Sequence, residues 1–344
     1  MSDMHRRVST MSIVPLLLCA REEGIDVHEL LAGSALSEEF LRDPHQTLSF
    51  TQELGIVRRY LALTDDEQPA LRCSAFYHYN SFGVLGAALV SHASMLEACH
   101  FLVRYVDLTF TPFHVVLQED GEAIEARYID RTDLEDCREF YLLRDLAFIR
   151  NLCCEADPEH WSSLVEAMDI DMEEPAGAAT LRDYFQWPLR FGQEETRIQA
   201  RRTALNRPLR LANPATLSML QRHCDELLEL RRHHSWRLRV EALLIQHPAC
   251  ADLSQVAAQL CCSERTLRRH LQQEGCTFQD IVNDMLQQRA THYLRHSRWP
   301  IETIASRLGY SETAAFAHAF KRWTGITPRQ FRQSTQTTPA QDKS

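Results

Sequence analysis

A chain of 344 residues exceeds what one hydrophobic core covers, about 250–300 residues, so two domains are expected. Its 44% hydrophobic and 24% charged residues are those of an ordinary globular protein, which excludes fibrous and disordered classes. The net charge of −10 is uneven: residues 231–334 hold 15 Arg and Lys against 8 Asp and Glu, net +7, while residues 1–230 hold 21 against 38, net −17. A basic C-terminal part suits phosphate contact, with the acidic part facing away. Eleven cysteines, with no Cys-x-x-Cys spacing, exclude a disulfide framework or structural zinc site and read as mostly buried free thiols. The apolar run Ile13 to Ala20 is shorter than the ~18 residues of a membrane span. Arg21-Glu-Glu23 follows it in place of a cleavage site, so a helix and a cytoplasmic location are expected.

In chain order, the patterning predicts helices over Val8–Glu23, Val27–Leu31 and Phe50–Leu63, then a β-like segment Ala70–Tyr79 closed by the turn Asn80-Ser-Phe-Gly83. A long amphipathic helix is predicted over Val84–Val106. Phe110–Leu117 and Ile124–Ile129 read as a hairpin around Asp120-Gly121. Leu134–Cys154 is helical, and Asp169–Gly177 reads as a surface loop or edge. Residues 1–230 are therefore expected to be α+β. A further helix over Ala215–Arg232 carries Leu217, Leu220, Cys224, Leu227 and Leu228, a stripe for a partner helix or for its own domain. Residues 231–235 are the expected linker, 236–334 an all-α domain, and 335–344 a disordered tail.

The all-α domain contains one helical unit twice. Leu253-Ser-Gln-Val-Ala-Ala-Gln-Leu260 leads through Cys261-Cys262 to Ser263-Glu-Arg-Thr-Leu-Arg-Arg-His-Leu271. Ile301-Glu-Thr-Ile-Ala-Ser-Arg-Leu308 leads through Gly309-Tyr310 to Ser311 and the segment ending Phe320-Lys-Arg322. The turn serines, both expected N-caps, stand 48 residues apart. Two such helix-turn-helix units joined by a helix over Phe278–Arg295 suit successive major grooves, spaced about 34 Å. In the first, Arg265, Arg268 and Arg269 project away from the apolar positions, and a bidentate Arg reads guanine. In the second, Thr313, Ala314, Ala317 and His318 face outward, offering methyl contacts and one imidazole, with Lys321 and Arg322 placed for phosphate. Gly325 reads as a helix stop, with Thr327 as N-cap and Pro328 at the first position of a final helix.

These residues resemble the AraC/XylS family of bacterial transcription regulators, above all in Ile304-Ala305, Leu308-Gly-Tyr-Ser311, Phe316, Phe320-Lys-Arg-Trp323, Gly325 and Thr327-Pro328. The resemblance implies base-reading side chains at Arg265, Arg268, Arg269, Thr313, Ala314, Ala317 and His318. The sequence departs from the pattern at Cys261, where a Gly or small residue is common, at His318, and at Leu286, where Arg is frequent. The N-terminal part resembles the effector domain, often labelled arabinose-binding, of a subgroup that includes ornithine-utilisation and sphingosine-responsive regulators. Leu30-Leu-Ala-Gly-Ser34, Leu41-Arg-Asp-Pro44, Gly83-Val-Leu-Gly86 and Phe185–Gly192 carry that match. It implies a transcription factor, an activator in most members, that answers to a small molecule and works with duplex DNA, RNA polymerase and a possible second copy of itself.

An enzyme is the first rival, but Gly-x-Ser-x-Gly, phosphate-loop, Gly-x-Gly-x-x-Gly and His-Glu-x-x-His patterns are missing, and no cofactor is expected. His92, Cys99, His100 and His114 read as scattered hydrogen-bonding residues rather than a metal cluster. The second rival is a dimeric DNA-binding factor whose N-terminal domain serves only oligomerisation. Phe76, Tyr77, His78, Tyr79, Asn80, Phe101 and Tyr105, with Phe110 and Phe113, are the candidate effector-pocket residues. Their aromatic character favours an amphipathic or lipid-like metabolite over a sugar.

Overall fold

The computed structural model describes residues 7–43, 46–132, 134–233, 236–246, 252–297 and 299–336. The chain divides into two compact units, residues 1–128 with 134–230, and residues 231–344 with 129–133.

The first unit begins with β1 (Arg7–Ser9) and a 3-10 turn over Thr10–Ser12, so the helix expected from Val8 starts later, as α1 (Val14–Glu22). Short helices α2 (Val27–Leu31) and α3 (Glu38–Arg42) are capped by the side chains of Asp26 and Ser37. β2 (Thr47–Ser49) pairs antiparallel with β1. α4 (Phe50–Leu63) has the expected bounds because Ser49 and Gln52 cap each other's backbone N–H groups.

Two segments differ from expectation. The segment Ala70–Tyr79 is not a strand but α5 (Pro69–Ser74), followed by a 3-10 turn over Tyr79–Phe82. Pro69 stands in the first helical turn, where its fixed φ and missing N–H cost nothing. The single helix expected over Val84–Val106 is two, α6 (Val84–Val90) and α7 (Met95–Arg104). At the break, Ser91 Oγ donates to the Ala87 carbonyl at 2.7 Å, while the Ser94 side chain caps α7 by accepting from the Glu97 N–H. Gly86 allows α6 to lie against the preceding turn, since a Cβ there would stand 1.6 Å from the Tyr79 carbonyl oxygen.

The hairpin is present as β3 (Phe113–Asp120) and β4 (Ala123–Asp130), turning at Gly121. α8 (Arg138–Ala156), β5 (Val165–Asp169), α9 (Ala178–Phe185), β6 (Leu189–Arg190), β7 (Thr196–Arg201), α10 (Arg202–Leu205) and α11 (Pro214–His233) follow. The larger sheet has the order β3-β4-β7-β5-β6, with β7 antiparallel to β4 and β5 and β6 parallel to β5. One core runs through the unit, from Leu16 and Tyr60 through Tyr141 and Leu146 to Phe185 and Ile198.

The segment Asp169–Gly177, expected as a surface loop or edge, starts deep inside: Asp169, Ile170 and Asp171 are at most 2% exposed. Arg138 sets its fork on Asp171, Nη1 to Oδ1 at 3.1 Å and Nη2 to Oδ2 at 3.0 Å, and Thr196 Oγ1 donates to the same carboxylate at 2.7 Å. On α11, Cys224 and Leu228 are buried and Leu217 and Leu220 pack on the core, whereas Met219 and Leu230 are exposed. α11 continues to His233, so Arg231 to His233 of the expected linker are helical. His234, Ser235 and the polar tail beyond residue 336 lie outside the described residues.

The second unit is helical among its described residues from residue 236 onward: α12 (Trp236–Gln246), α13 (Leu253–Gln259), α14 (Glu264–Gln273), α15 (Phe278–His296), α16 (Ile301–Arg307), α17 (Thr313–Thr324) and α18 (Pro328–Gln336). The internal repeat holds at the level of single hydrogen bonds. Cys261 and Cys262 N–H donate to the Ala258 and Ala257 carbonyls, both at 3.0 Å; 48 residues on, Gly309 and Tyr310 donate to Ser306 and Ala305, also at 3.0 Å. The turn residue is left-handed in both, φ 53° at Cys261 and 85° at Gly309.

Ser263 caps α14 as expected, accepting from the Thr266 N–H at 3.2 Å. Ser311 does not cap α17. That helix starts one residue later, after Glu312, without a side-chain cap. Gly325 ends α17 with φ 81°, and Thr327 and Gln330 cap each other at the start of α18.

Two separate small cores result. Val256, Leu267 and Leu271 pack with Val240 of α12 and Ile281 of α15; Ile304, Phe316 and Phe320 pack with Ala290 and Leu294 of α15. The 19 residues of α15 extend about 28 Å and enter one core with each half. Leu286 packs against the second core, so the position where the resemblance favours Arg serves packing here.

Candidate functional site

Two surfaces qualify, one in each unit. In the second unit, α14 buries Leu267 and Leu271 and leaves Arg265, Arg268 and Arg269 exposed. The geometry follows from the sequence: at about 100° per residue, positions 265, 268 and 269 fall on the side away from the core. Arg268 Nη2 rests 3.0 Å from Glu264 Oε2, an exposed pair one turn apart. Such pairs are weak, so a phosphate or a guanine edge competes readily for the guanidinium. On α17, Phe316 and Phe320 hold the helix down; Ala314 and His318 are exposed and Thr313 and Ala317 partly so. Lys321 and Arg322 are exposed one turn further on. All nine residues singled out for duplex contact thus stand at the surface of two equivalent helices, a guanidinium-rich face on one and a methyl-and-imidazole face on the other.

In the first unit, two adjoining cavities lie among α7, α8 and the larger sheet. The inner one, about 90 Å³, is walled by residues such as Cys99 of α7, Leu117 of β3, Ala126 of β4 and Ile198 of β7. Its few polar wall atoms stay uncharged: burial pushes the Cys99 thiol up to about 11, and burial likewise pushes up Cys153. The outer one, about 40 Å³, is bounded by Tyr77, Phe82, Phe110 and Phe148, and by Arg144 and Asp145 of α8. Leu102, Val115, Tyr128 and Ile149 belong to both walls.

Arg144 Nε and Nη2 donate to Asp145 Oδ1 at 3.0 and 2.7 Å, and the guanidinium lies over the Tyr77 and Tyr141 rings at 5.2 and 4.7 Å. Burial works against the Arg144 charge, but the Asp145 carboxylate and the facing phenols raise its pKa overall. Burial pushes the Tyr128 phenol up, and the Asp145 charge adds to it.

Of the leading seven residues expected at a pocket, only Tyr77 lines these cavities, joined by Phe110. Phe76 is half-buried against the core. His78 turns outward to Glu155, Nδ1 to Oε1 at 2.9 Å. Tyr79 and Asn80 form the 3-10 turn beside α6. Phe101 packs at a tilt between His92 and Tyr105, with centroids 4.6 and 4.3 Å away, and Tyr105 donates its hydroxyl to Asp225 at 2.5 Å. Phe113 is core. Sequence reasoning missed Tyr128, Arg144 and Asp145. A usable signal existed, since Arg144-Asp145 interrupts the apolar run from Phe140 to Phe148, and charges inside such a run are paired or functional.

His92 Nδ1 bonds the Ala88 carbonyl at 2.8 Å and His100 pairs with Glu119 at 2.9 Å. Among the described residues no helix is long and apolar enough to cross a membrane.

Comparison with known proteins places one family match in each unit. The family described as the arabinose-binding domain of AraC transcription regulator, N-terminal, matches residues 24–209, and a helix-turn-helix domain family matches residues 256–334. The chain is 28% identical over 321 residues to the ornithine utilization regulator of Pseudomonas aeruginosa, covering 93% of this chain and 94% of that one. It is 40% identical over 80 residues to a urease operon transcriptional activator of Escherichia coli, 23% of this chain and 27% of the relative. Among solved structures, the transcriptional regulator CdpR of Pseudomonas aeruginosa aligns over 94% of this chain and 98% of its own at 22% identity and a TM-score of 0.42.

Proposed function

Because this chain belongs to the AraC family of transcription regulators, and is not an enzyme, we propose that it reads a promoter duplex through α14 and α17 and activates transcription when a small amphipathic metabolite occupies its first unit. The observation that carries the DNA reading is the exposed triad Arg265, Arg268 and Arg269 on a helix whose other side is fixed in a core. Guanidinium forks on α14 read guanine edges, while Thr313, Ala314, Ala317 and His318 of α17 set register and Lys321 and Arg322 neutralise phosphate. Residues 236–334 form the DNA-binding domain in this reading, and residues 1–230 the effector and oligomerisation domain. The activating direction is supported by relatives named as activators, each matching 23% of this chain, and the same reading puts RNA polymerase and a second copy of the chain among the partners and the protein in the bacterial cytoplasm.

The test is genome-wide occupancy of the tagged full chain, then competition binding on the enriched duplex. Specific reading requires that duplex to win over unrelated competitor by about 10³-fold or more at fixed salt. Equal competition at every sequence refutes it.

The effector part rests on the paired cavities of the first unit. An apolar chamber beside a charged pair is the wall chemistry of an amphipathic guest; a sugar needs several convergent hydrogen-bonding groups.

A further inference from the structure

We propose that the first unit binds an unbranched apolar chain ending in a neutral hydrogen-bond donor, a hydroxyl group above all, with the chain in the inner chamber and the hydroxyl on Asp145 Oδ2. The proposal deepens the effector reading above and rests on it for any effect on transcription.

Three observations converge. The first is an unfilled valence. Asp145 Oδ1 takes both contacts from Arg144, while Oδ2 is buried without a hydrogen-bond partner among the described residues. A buried carboxylate oxygen left unmade is costly, and a guest that donates to it recovers that cost. The second is place: Asp145 walls the outer cavity, and Tyr128, which feels its charge, walls both. The third is the chemistry of the inner chamber, where the polar side chains among the lining residues are one phenol and two thiols, all held neutral by burial. Water needs two to four polar partners to stay in such a space. A hydrocarbon chain does not.

Charge decides the head group. Arg144 and Asp145 are already a neutral pair at 2.7 Å, with the Arg144 side chain 3% exposed. A carboxylate guest meets the Asp145 charge. An ammonium guest brings a second buried cation to a site that has spent its anion on Arg144. A hydroxyl donates one bond and adds no charge.

The experiment is isothermal titration of the full chain with probes of one chain length: 1-octanol, its methyl ether, octylamine, octanoate and, for the sugar in the matching family's description, arabinose. Octanol is expected to bind at least tenfold more tightly than the ether, which lacks the donor, and than the amine, the acid or the sugar. The Asp145→Asn variant, which puts an amide NH2 on one of the two side-chain positions, should erase the preference for octanol over ether while both still bind. Cys99→Leu, which fills the inner chamber, should weaken octanol and ether together. If Asp145→Asn fails to fold because Arg144 loses its partner, the octanol-to-ether ratio on the natural chain still decides.

Equal affinity for octanol and ether, or tighter binding of amine, acid or sugar, overturns the proposal. So does the absence of binding by every probe. DNA affinity measured with and without octanol separates the two readings: selective octanol binding with no change in DNA affinity upholds this site and refutes its link to transcription.

Discussion

The two turns offer an internal experiment on backbone strain. Cys261 and Gly309 occupy equivalent positions 48 residues apart, make equivalent hydrogen bonds, and are both left-handed, yet only one is glycine. An L-residue in this region pays about 1–2 kcal/mol for its Cβ. Replacing Cys261 by Gly removes that cost but returns about 0.4–1 kcal/mol of backbone freedom to the unfolded chain. The net expectation for Cys261→Gly is a gain of about 0.5–1 kcal/mol, or about 2–8 °C in the melting of a unit of ~100 residues. Gly309→Ala should lose a similar amount, and since a Cβ there meets nothing within 4 Å, the loss is of backbone origin alone. Cys261→Ala separates thiol from backbone: it keeps the Cβ and should stay near the natural stability, because Cys261 is exposed. The assay is amide hydrogen exchange across α13 and α14 in the full chain, backed by thermal melting. A Cys261→Gly variant no more stable than the natural chain refutes the strain argument.

Other outcomes rest on the same geometry. Arg268→Ala should weaken specific DNA binding by about 1–3 kcal/mol, five- to 150-fold, and Thr313→Ala by clearly less; equal losses at one salt concentration overturn the ranking of the two helices. Asp171→Ala leaves the buried Arg138 without its bidentate partner and should cost about 3–5 kcal/mol in denaturant unfolding, whereas a loss below about 1 kcal/mol would mean water reaches Arg138. Burial tends to raise Glu23, but hydrogen bonds from Thr64, Tyr60 and Cys19 and the charge of Arg72 bring it below its ordinary 4.5. A carboxylate lowered in the folded state stabilises above its unfolded pKa and loses that contribution as pH falls through the folded value. Glu23→Gln should therefore flatten the acid limb below about pH 4.5 in a stability titration, and an unchanged limb would exclude Glu23 as a contributor.

Much of the second unit was legible because its determinants are local. Ser263, Gly325 and the Thr327-Pro328 step act within one turn of where they stand, and the apolar spacing of Leu267 and Leu271 or Phe316 and Phe320 is a helical period. Ser311 failed as a cap because helix initiation shifted by one residue, a difference smaller than pattern reading resolves. In the first unit the Asp120-Gly121 hairpin was visible, but β5, β6 and β7 were not. β7 takes its partners from β4, some 70 residues earlier, and from β5, and no local periodicity records such pairing. The aromatic run Phe76 to Tyr79 suggested a strand by composition, while Pro69 had already committed the chain to a helix. The same run suggested a pocket. Tyr77 does line it, but the groups that give the cavity its chemistry, Arg144 and Asp145, announce themselves only as a charged break in the apolar run of α8, not by aromatic composition.

The shared strut α15 has a consequence for how such a regulator changes its target. Side chains on α14 and α17 can be exchanged freely, since their outer faces support no core. The strut's length cannot. One residue inserted between Ile281 and Ala290 turns one reading head by about 100° and advances it by about 1.5 Å relative to the other. In the proposed reading, new operators are thus reached by altering letters, while the spacing between half-sites is set by the length of α15.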